Sequence, residues 1–392
     1  MKAGEHMSKA IMNVLEKYAP KLLDLRKHLK SVSSNDMMIA GQLDVEIDSY
    51  CTPLINKKIY ELKRISGKLV ETRNEIYQKM LMSLQDQTQK DELNDQHEYL
   101  EVQILLLEKA IQKKQEQNRQ FSHSVERNFI DHPFISSTTP NESTLVKKRQ
   151  PNGVLELEKK GFRNLYYQNS NGNLLLPYDA RNLFGIIKLW ELKGKNIAFD
   201  FEFRELIHSV HGEMSGGEYE ALHTSLDNLG KTSIVMEEYF DAEAKKRKRT
   251  KIHNPIQEMA IDRVTNSVSI RLNENLHKNL LAGNVIEFSI SLFNDLATPT
   301  SKNLYLIVVN KAKDREFVLD VEQLINHLGI HASENYKSYT MLKNSFDELQ
   351  NYDVIKRYEI VKKRRIPDKV IFEPSDWVLQ RSADLQGELF LG

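Results

Sequence analysis

The segment Tyr219–Leu229, YEALHTSLDNL, returns as Tyr339–Leu349, YTMLKNSFDEL, with Tyr, Leu, Ser, an apolar residue, Asp and Leu at the same spacing 120 residues later. An internal repeat constrains a fold strongly, because both copies must build the same unit. The agreement spreads both ways. Upstream, FEFRELIHSV matches LDVEQLINHL; downstream, TSIVMEEYFD before one basic run matches YDVIKRYEIV before another, KKRRIPDK. An amphipathic helix precedes each copy, YDARNLFGIIKLWELKGK in the first and TSKNLYLIVVNKAKD in the second. Each copy thus predicts helix, short strand (IAFDFEF; EFVLD), helix, turn, helix, strand, basic turn, strand, which is the order of a winged helix-turn-helix. The turns HGEMSGGE and GIHASEN supply glycine and helix-capping serine between the two central helices.

The basic runs acquire meaning from that order. Lys245, Lys246, Arg247, Lys248, Arg249 and Lys251 crowd into seven residues of a chain whose 55 Lys plus Arg balance 55 Asp plus Glu. One such run is explained by a solvated loop or an import signal. Here a second, Lys362, Lys363, Arg364 and Arg365, falls at the equivalent predicted wing tip, which a solvated loop does not explain. Wing cations neutralise phosphates and release counterions; base reading belongs to the third helix of each module. In the second copy Tyr339, Leu342, Phe346 and Leu349 form the predicted buried stripe. The opposite face presents Glu334, Lys337, Thr340, Met341 and Asn344, with Tyr336 and Lys343 at its margins. Lys and Asn pair with guanine or adenine edges, and Met or Thr touches a thymine methyl. In the first copy the stripe is Leu222, Leu226 and Leu229, and the outward face is Gly217, Glu220, Ala221 and Thr224, without a cation. The second module is therefore expected to carry most sequence specificity.

Residues 1–125 read differently: few glycines and long runs of Leu, Ile, Lys, Glu and Gln, the make-up of helices. Leu93, His97, Leu100, Ile104, Leu107 and Ile111 follow a coiled-coil step, as do Ile55, Ile59, Leu62, Ser66, Leu69, Arg73, Ile76 and Met80 upstream. The polar stretch between them, SLQDQTQKDELND, predicts a turn and an antiparallel helical hairpin, with one continuous rod as the alternative. Residues 126–174, rich in Ser, Thr, Asn and Pro, read as a linker whose tail supplies a strand or hairpin; winged-helix domains follow at 175–280 and 281–376, then a tail at 377–392. The fold class expected is α+β: an all-α coiled-coil or helical hairpin, then two tandem winged helix-turn-helix domains.

Several function classes recede. Cys51 is the sole cysteine, so neither an intrachain disulfide nor a CxxC metal knuckle is expected, and a cytoplasmic setting is the simplest. The longest apolar run, Leu304–Val309, falls far short of a membrane span. GKT at Gly230–Thr232 lacks the glycine of a phosphate loop, Ser225 standing there inside a predicted helix. HSVH, His208–His211, has no cysteine or third ligand nearby. No catalytic site, metal site or cofactor is expected.

The stretch from LPYDARNLFGIIKLWELKGKNIAFDFEFRELIHSV through GGEYEAL, SLDNL and TSIVMEEYFD resembles the first winged helix of RepA-type plasmid replication initiators, and NVIEFSISLFNDLATPTSKNLYLIVVNKAKD resembles the entry to their second. The resemblance covers about residues 175–375. It implies a protein that binds repeated double-stranded DNA sites at an origin, helps open the adjacent duplex and recruits a host replicative helicase or initiator. It also implies dimerisation through the first winged helix and DNA reading chiefly by the second. The heptad helices of the N-terminus depart from that pattern, and self-association into a homodimer or higher oligomer is their simplest reading. A regulator of transcription or segregation, binding an operator without opening DNA, is the alternative.

Overall fold

Helical periodicity governs the first 120 residues. The computed structural model describes residues 2–32, 36–82, 87–139, 149–210, 218–252, 254–262, 264–312, 315–331 and 335–380. These fall into two compact units, Met1–Gln120 and Phe121–Gly392.

The regular elements among the described residues of the first unit are helices: α1 (Lys2–Val32), α2 (Asp36–Tyr50), α3 (Thr52–Ile55), α4 (Ile59–Met82) and α5 (Gln87–Asn118). Ile11, Leu15, Ala19, Leu22 and Leu29 bury one stripe of α1, while Ile39, Leu43 and Ile47, four residues apart, bury one face of α2. Pro53 sits in the first turn of α3, where its missing N–H costs nothing. The helices α4 and α5 form the expected hairpin, with a core confined to one end: Ile59, Leu62 and Ile65 of α4 and Val102, Leu106, Leu107 and Ala110 of α5. Beyond it the seam residues Leu69, Arg73, Ile76 and Met80, and Leu93, His97 and Leu100 opposite, are only half-buried. Ion pairs tie α1 to α5 alongside: Arg26–Glu101 at 2.8 Å, Lys27–Asp95 at 2.8 Å and Lys30–Glu98 at 3.0 Å. Cys51 is fully buried at the α2–α3 junction, and burial pushes its thiol pKa up.

The second unit opens on β1 (His123–Glu126) and α6 (Arg127–Asp131). Here the linker expectation fails. Residues 132–137 are all buried, and Phe129, Ile130, Phe134 and Ile135 belong to the main core. Composition misled because Ser, Asn and Pro carry no period, yet four large apolar residues in this stretch find a core to fill. The rest of the stretch does supply a hairpin, β2 (Leu155–Lys159) with β3 (Leu165–Asn169).

The first winged helix comprises α7 (Pro177–Leu192), β4 (Ala198–Glu202), α8 (Phe203–Val210), α9 (Glu218–Gly230), β5 (Thr232–Asp241), β6 (Lys246–Ile252), β7 (Ile256–Asp262), β8 (Ser267–Leu272) and α10 (Glu274–Leu281). The second comprises β9 (Val285–Phe288), α11 (Ile290–Asp295), α12 (Pro299–Lys311), β10 (Phe317–Asp320), α13 (Val321–His327), α14 (Asn335–Asn351), β11 (Ile355–Lys363) and β12 (Ile366–Pro374). In the second, the strand that follows the first helix closes on its own hairpin, giving the sheet β10–β12–β11. In the first, β4 closes on a later hairpin, giving β4–β8–β7, and the basic β5–β6 hairpin joins β2 and β3 in a separate four-stranded sheet.

One core runs through both modules. Phe184 of α7 lies edge-on to Phe288 (4.9 Å) and Phe293 (5.6 Å), and the Tyr305 hydroxyl accepts the Ser289 N–H at 2.9 Å. Among the described residues no helix is long and apolar enough to cross a membrane.

Candidate nucleic-acid interface

In the second module α13 and α14 are the helix-turn-helix pair, and Asp320 caps α13 by accepting the Gln323 N–H at 2.7 Å. Gly329 turns the chain between them with φ +60°, and a Cβ there would lie 2.9 Å from the Ser136 Cα, so only glycine fits. On α14, Ser338, Leu342, Ser345, Phe346 and Leu349 face inward, and Tyr336, Lys337, Thr340, Lys343 and Asn344 are exposed. Met341 is half-buried, and Glu334 lies outside the described residues. Met341 packs against the core, and the other described residues of the face expected to read bases are exposed. Phe346 stacks on Tyr358 of β11 at 5.0 Å, joining helix to hairpin.

Asp347 is a participant that the sequence reading missed. It receives Lys343 Nζ at 2.6 Å and the Tyr358 hydroxyl. Partial burial works against its charge, but these two hydrogen bonds leave the carboxyl below the ordinary aspartate range. The four-residue spacing of Lys343 and Asp347 was a readable signal; the tyrosine, on another element, was not.

At the wing, Lys362 and Lys363 end β11 and Arg364 and Arg365 form the two-residue turn, all four exposed. Arg364 has φ 50° and Arg365 φ 71°. Both occupy the left-handed region, where a two-residue hairpin favours Asn-Gly and where other side chains cost about 1–2 kcal/mol each.

The first module corrects the sequence reading in one respect. Its basic run is not the tip of the wing that closes on β4. Lys245 (φ 48°) ends the four-residue turn, and Lys246, Arg247, Lys248, Arg249 and Lys251 lie on the returning strand β6. The cause is pairing: β5 runs beside β3 from Thr232↔Asn169 to Met236↔Leu165, which draws the β5–β6 hairpin into the other sheet. Local repetition could not reveal a partner strand whose paired residues lie 63 to 71 positions upstream. Lys246, Arg247 and Lys248 are exposed, but two are engaged: Lys248 with Asp241 at 2.5 Å, and Arg247 with the Glu238 carbonyl at 3.0 Å. The Lys248 hydrogen bond holds the Asp241 carboxyl low. Along α9, Leu222, Leu226 and Leu229 are buried and Glu220, Ala221 and Thr224 exposed, as read; Gly217 lies outside the described residues.

The segment after Glu126, expected from composition to be a linker, fastens both the β5–β6 hairpin and the α13–α14 turn. The Asn128 and Asn279 side chains each donate to the Phe240 carbonyl, at 2.8 and 2.9 Å, and accept from the backbone of the β5–β6 hairpin, at Phe240 and Ala242. Both also donate to Glu126, as does Asn284 at 2.8 Å. Glu126 is wholly buried, and that burial raises its pKa to about 7 against the pull of the three amides. His132 places Nδ1 2.7 Å from the Asn128 carbonyl and Nε2 2.6 Å from the Glu237 carbonyl, while burial depresses its pKa. Further along, Ser137 N donates to Leu328 O at 2.9 Å, Thr138 N to Gly329 O at 3.2 Å, and His331 N to Thr138 Oγ1 at 2.6 Å.

Residues 183–354, from α7 to the residue before β11, match the family model described as Replication initiator protein A. The resemblance to replication initiators seen in the sequence holds over this segment. No curated protein matches the chain. Among solved structures, domains 2 and 3 of RctB are similar to it at 10% identity, with a TM-score of 0.43 over 64% of this chain and 99% of that one. A Pi initiator protein in complex with iteron DNA is similar at 13% identity, with a TM-score of 0.40 over 51% of this chain and 91% of that one.

Proposed function

We propose that this protein is a replication initiator that binds repeated double-stranded sites at an origin, with α14 in the major groove and cations of β6 and of the β11–β12 turn on phosphates. The observation that carries this reading is the pair Arg364–Arg365. Two arginines in the left-handed positions of a tight turn oppose the fold's own preference, and an anion bound at that tip offsets the cost of placing them there. The α14 face adds Lys337, Lys343 and Asn344, able to pair with purine edges, and Thr340 and Met341, able to meet a thymine methyl. Module 1 grips backbone through β6 and contributes little base reading. The half-buried outer seam of α4 and α5 is the surface for self-association into a dimer or larger assembly. In this reading the bound assembly helps open the adjacent duplex and recruits the replication machinery.

A footprint on the DNA flanking its own coding sequence, in about 50 and 200 mM salt, tests this. A ladder of protected repeats beside a permanganate-reactive AT-rich segment is the expected result. With about six phosphate contacts, binding weakens by roughly three decades between the two salts. One protected palindrome without reactive bases makes the protein a regulator of transcription or segregation, and no specific protection overturns the base-reading role of α14.

A further inference from the structure

The segment 126–138 touches the two DNA-facing elements at opposite ends of one short path. Asn128 and His132 hold the β5–β6 hairpin, through Phe240 O and Glu237 O, and Glu126 accepts from the Asn128 amide behind them. Five and six residues after His132, Ser137 and Thr138 hold the helix-turn-helix turn at Leu328, Gly329 and His331. Between these ends the Ile130 carbonyl lies 2.9 Å from His327 Nε2 on α13, and Lys159 Nζ donates to Phe134 O at 3.2 Å and Ser136 Oγ at 2.9 Å. The packing of this stretch on α12 and α13 leaves a cavity of about 20 Å³, room for a single water. The path crosses both modules, is buried for most of its length and makes hydrogen bonds at every turn.

We infer that residues 126–138 are a molecular ruler: they fix the distance and rotation between the basic β5–β6 hairpin and α14, so that the protein accepts only one spacing between the two blocks of DNA these elements contact. This rests on the duplex-binding reading above. Two modules on a flexible connection tolerate a range of spacings, because the second binding event depends on effective concentration alone. Two modules held by a buried strap do not. Five extra base pairs turn one block about half a helical turn around the duplex axis and move it roughly 17 Å, beyond what side chains span.

Spacing tolerance is the measurement. The full-length wild-type protein selects a site from a pool of random duplexes, its protected blocks are mapped, and one to ten base pairs are inserted between them. Wild type is expected to lose about tenfold or more at five inserted pairs and not to recover at ten, where rotation is restored but the offset remains. Because the modules also share one core, the variants are expected to relax this and not to abolish it. Ser137→Pro, which removes the bond to Leu328 O, should narrow the ratio between parent and five-pair sites by about threefold or more. Thr138→Ala, which removes only the hydroxyl's bonds with His331 N and Gly329 O, should narrow it by less. The ratio between two sites is insensitive to the fraction of protein that folds, so a weakened variant still reports. Equal spacing dependence in wild type and variants overturns the ruler, and so does a single protected block. A wild type that selects no sequence at all refutes duplex recognition itself, before any variant is made.

Discussion

The two winged helices share an order of elements and differ in what their hairpins join. The second closes its hairpin on its own sheet, β10–β12–β11, and ends it in two exposed arginines. The first sends the corresponding hairpin into a sheet with β2 and β3 and closes β4 with another, β7–β8. Their central helices diverge similarly, with Lys337, Lys343 and Asn344 exposed in one and Glu220, Ala221 and Thr224 in the other. Duplication therefore preserves the buried stripe that folds the unit, while the exposed face and the strand partners are free to change. A repeat reports common architecture, not common chemistry.

The largest effects should be the same in both modules, since Leu222, Leu226 and Leu229 of one and Leu342, Phe346 and Leu349 of the other are fully buried, with Tyr339 half-buried at the margin. Leu222→Ala and Leu342→Ala are each expected to cost about 2–5 kcal/mol, read by chemical denaturation; a large disparity would show that one module folds on the other. Acid should separate them. His327 of α13 is buried and its pKa pushed down to about 3, whereas the aligned position in α8 is Ser209. The folded pKa lies below the unfolded value, so the contribution to stability is full above about pH 6.5 and is lost as pH falls toward 3, by about 1.4 kcal/mol per unit. Denaturation midpoints at pH 7, 5.5 and 4.5 should fall for wild type and fall less for His327→Gln.

Smaller effects concern DNA. Lys337→Ala or Asn344→Ala should cost about 1–3 kcal/mol on a selected site and relax preference at one base pair, while Glu220→Ala and Thr224→Ala should shift binding by less than about 0.5 kcal/mol. Equal losses from the two helices in a binding titration would erase the proposed division of labour. Replacing the tip by Arg364→Asn with Arg365→Gly should do two opposite things. The fold should gain about 2–4 kcal/mol in a thermal melt, and the slope of log affinity against log salt should shrink by about 2. Arg247→Ala, already tied to the Glu238 carbonyl, should reduce that slope by less than about 1.

Much of this was legible in the sequence because it is local. The stripes Leu222–Leu226–Leu229 and Leu342–Phe346–Leu349, the glycine turn at Gly329 and the α4–α5 hairpin follow from period and turn residues. What was not legible depends on distance along the chain. Nothing near Lys245–Lys251 announces that β5 prefers β3 to the module's own sheet. Nothing in HPFISSTTP shows that its backbone N–H groups at Ser137 and Thr138 will fasten a turn 191 residues away, at Leu328 and Gly329. The Asp347–Tyr358 bond falls between these cases: half of it lies on the helix whose period was read, half on the strand whose register was not.

Cys51 gives the first unit an observable of its own. It is the sequence's single cysteine, shows no accessible surface and stands where α2 meets α3. A thiol reagent can reach it only when that junction opens, so the rate of modification counts openings of the Met1–Gln120 unit and is blind to those of Phe121–Gly392. Opening that slows as protein concentration rises would show that copies meet through the helical unit, without a label, a truncation or any DNA.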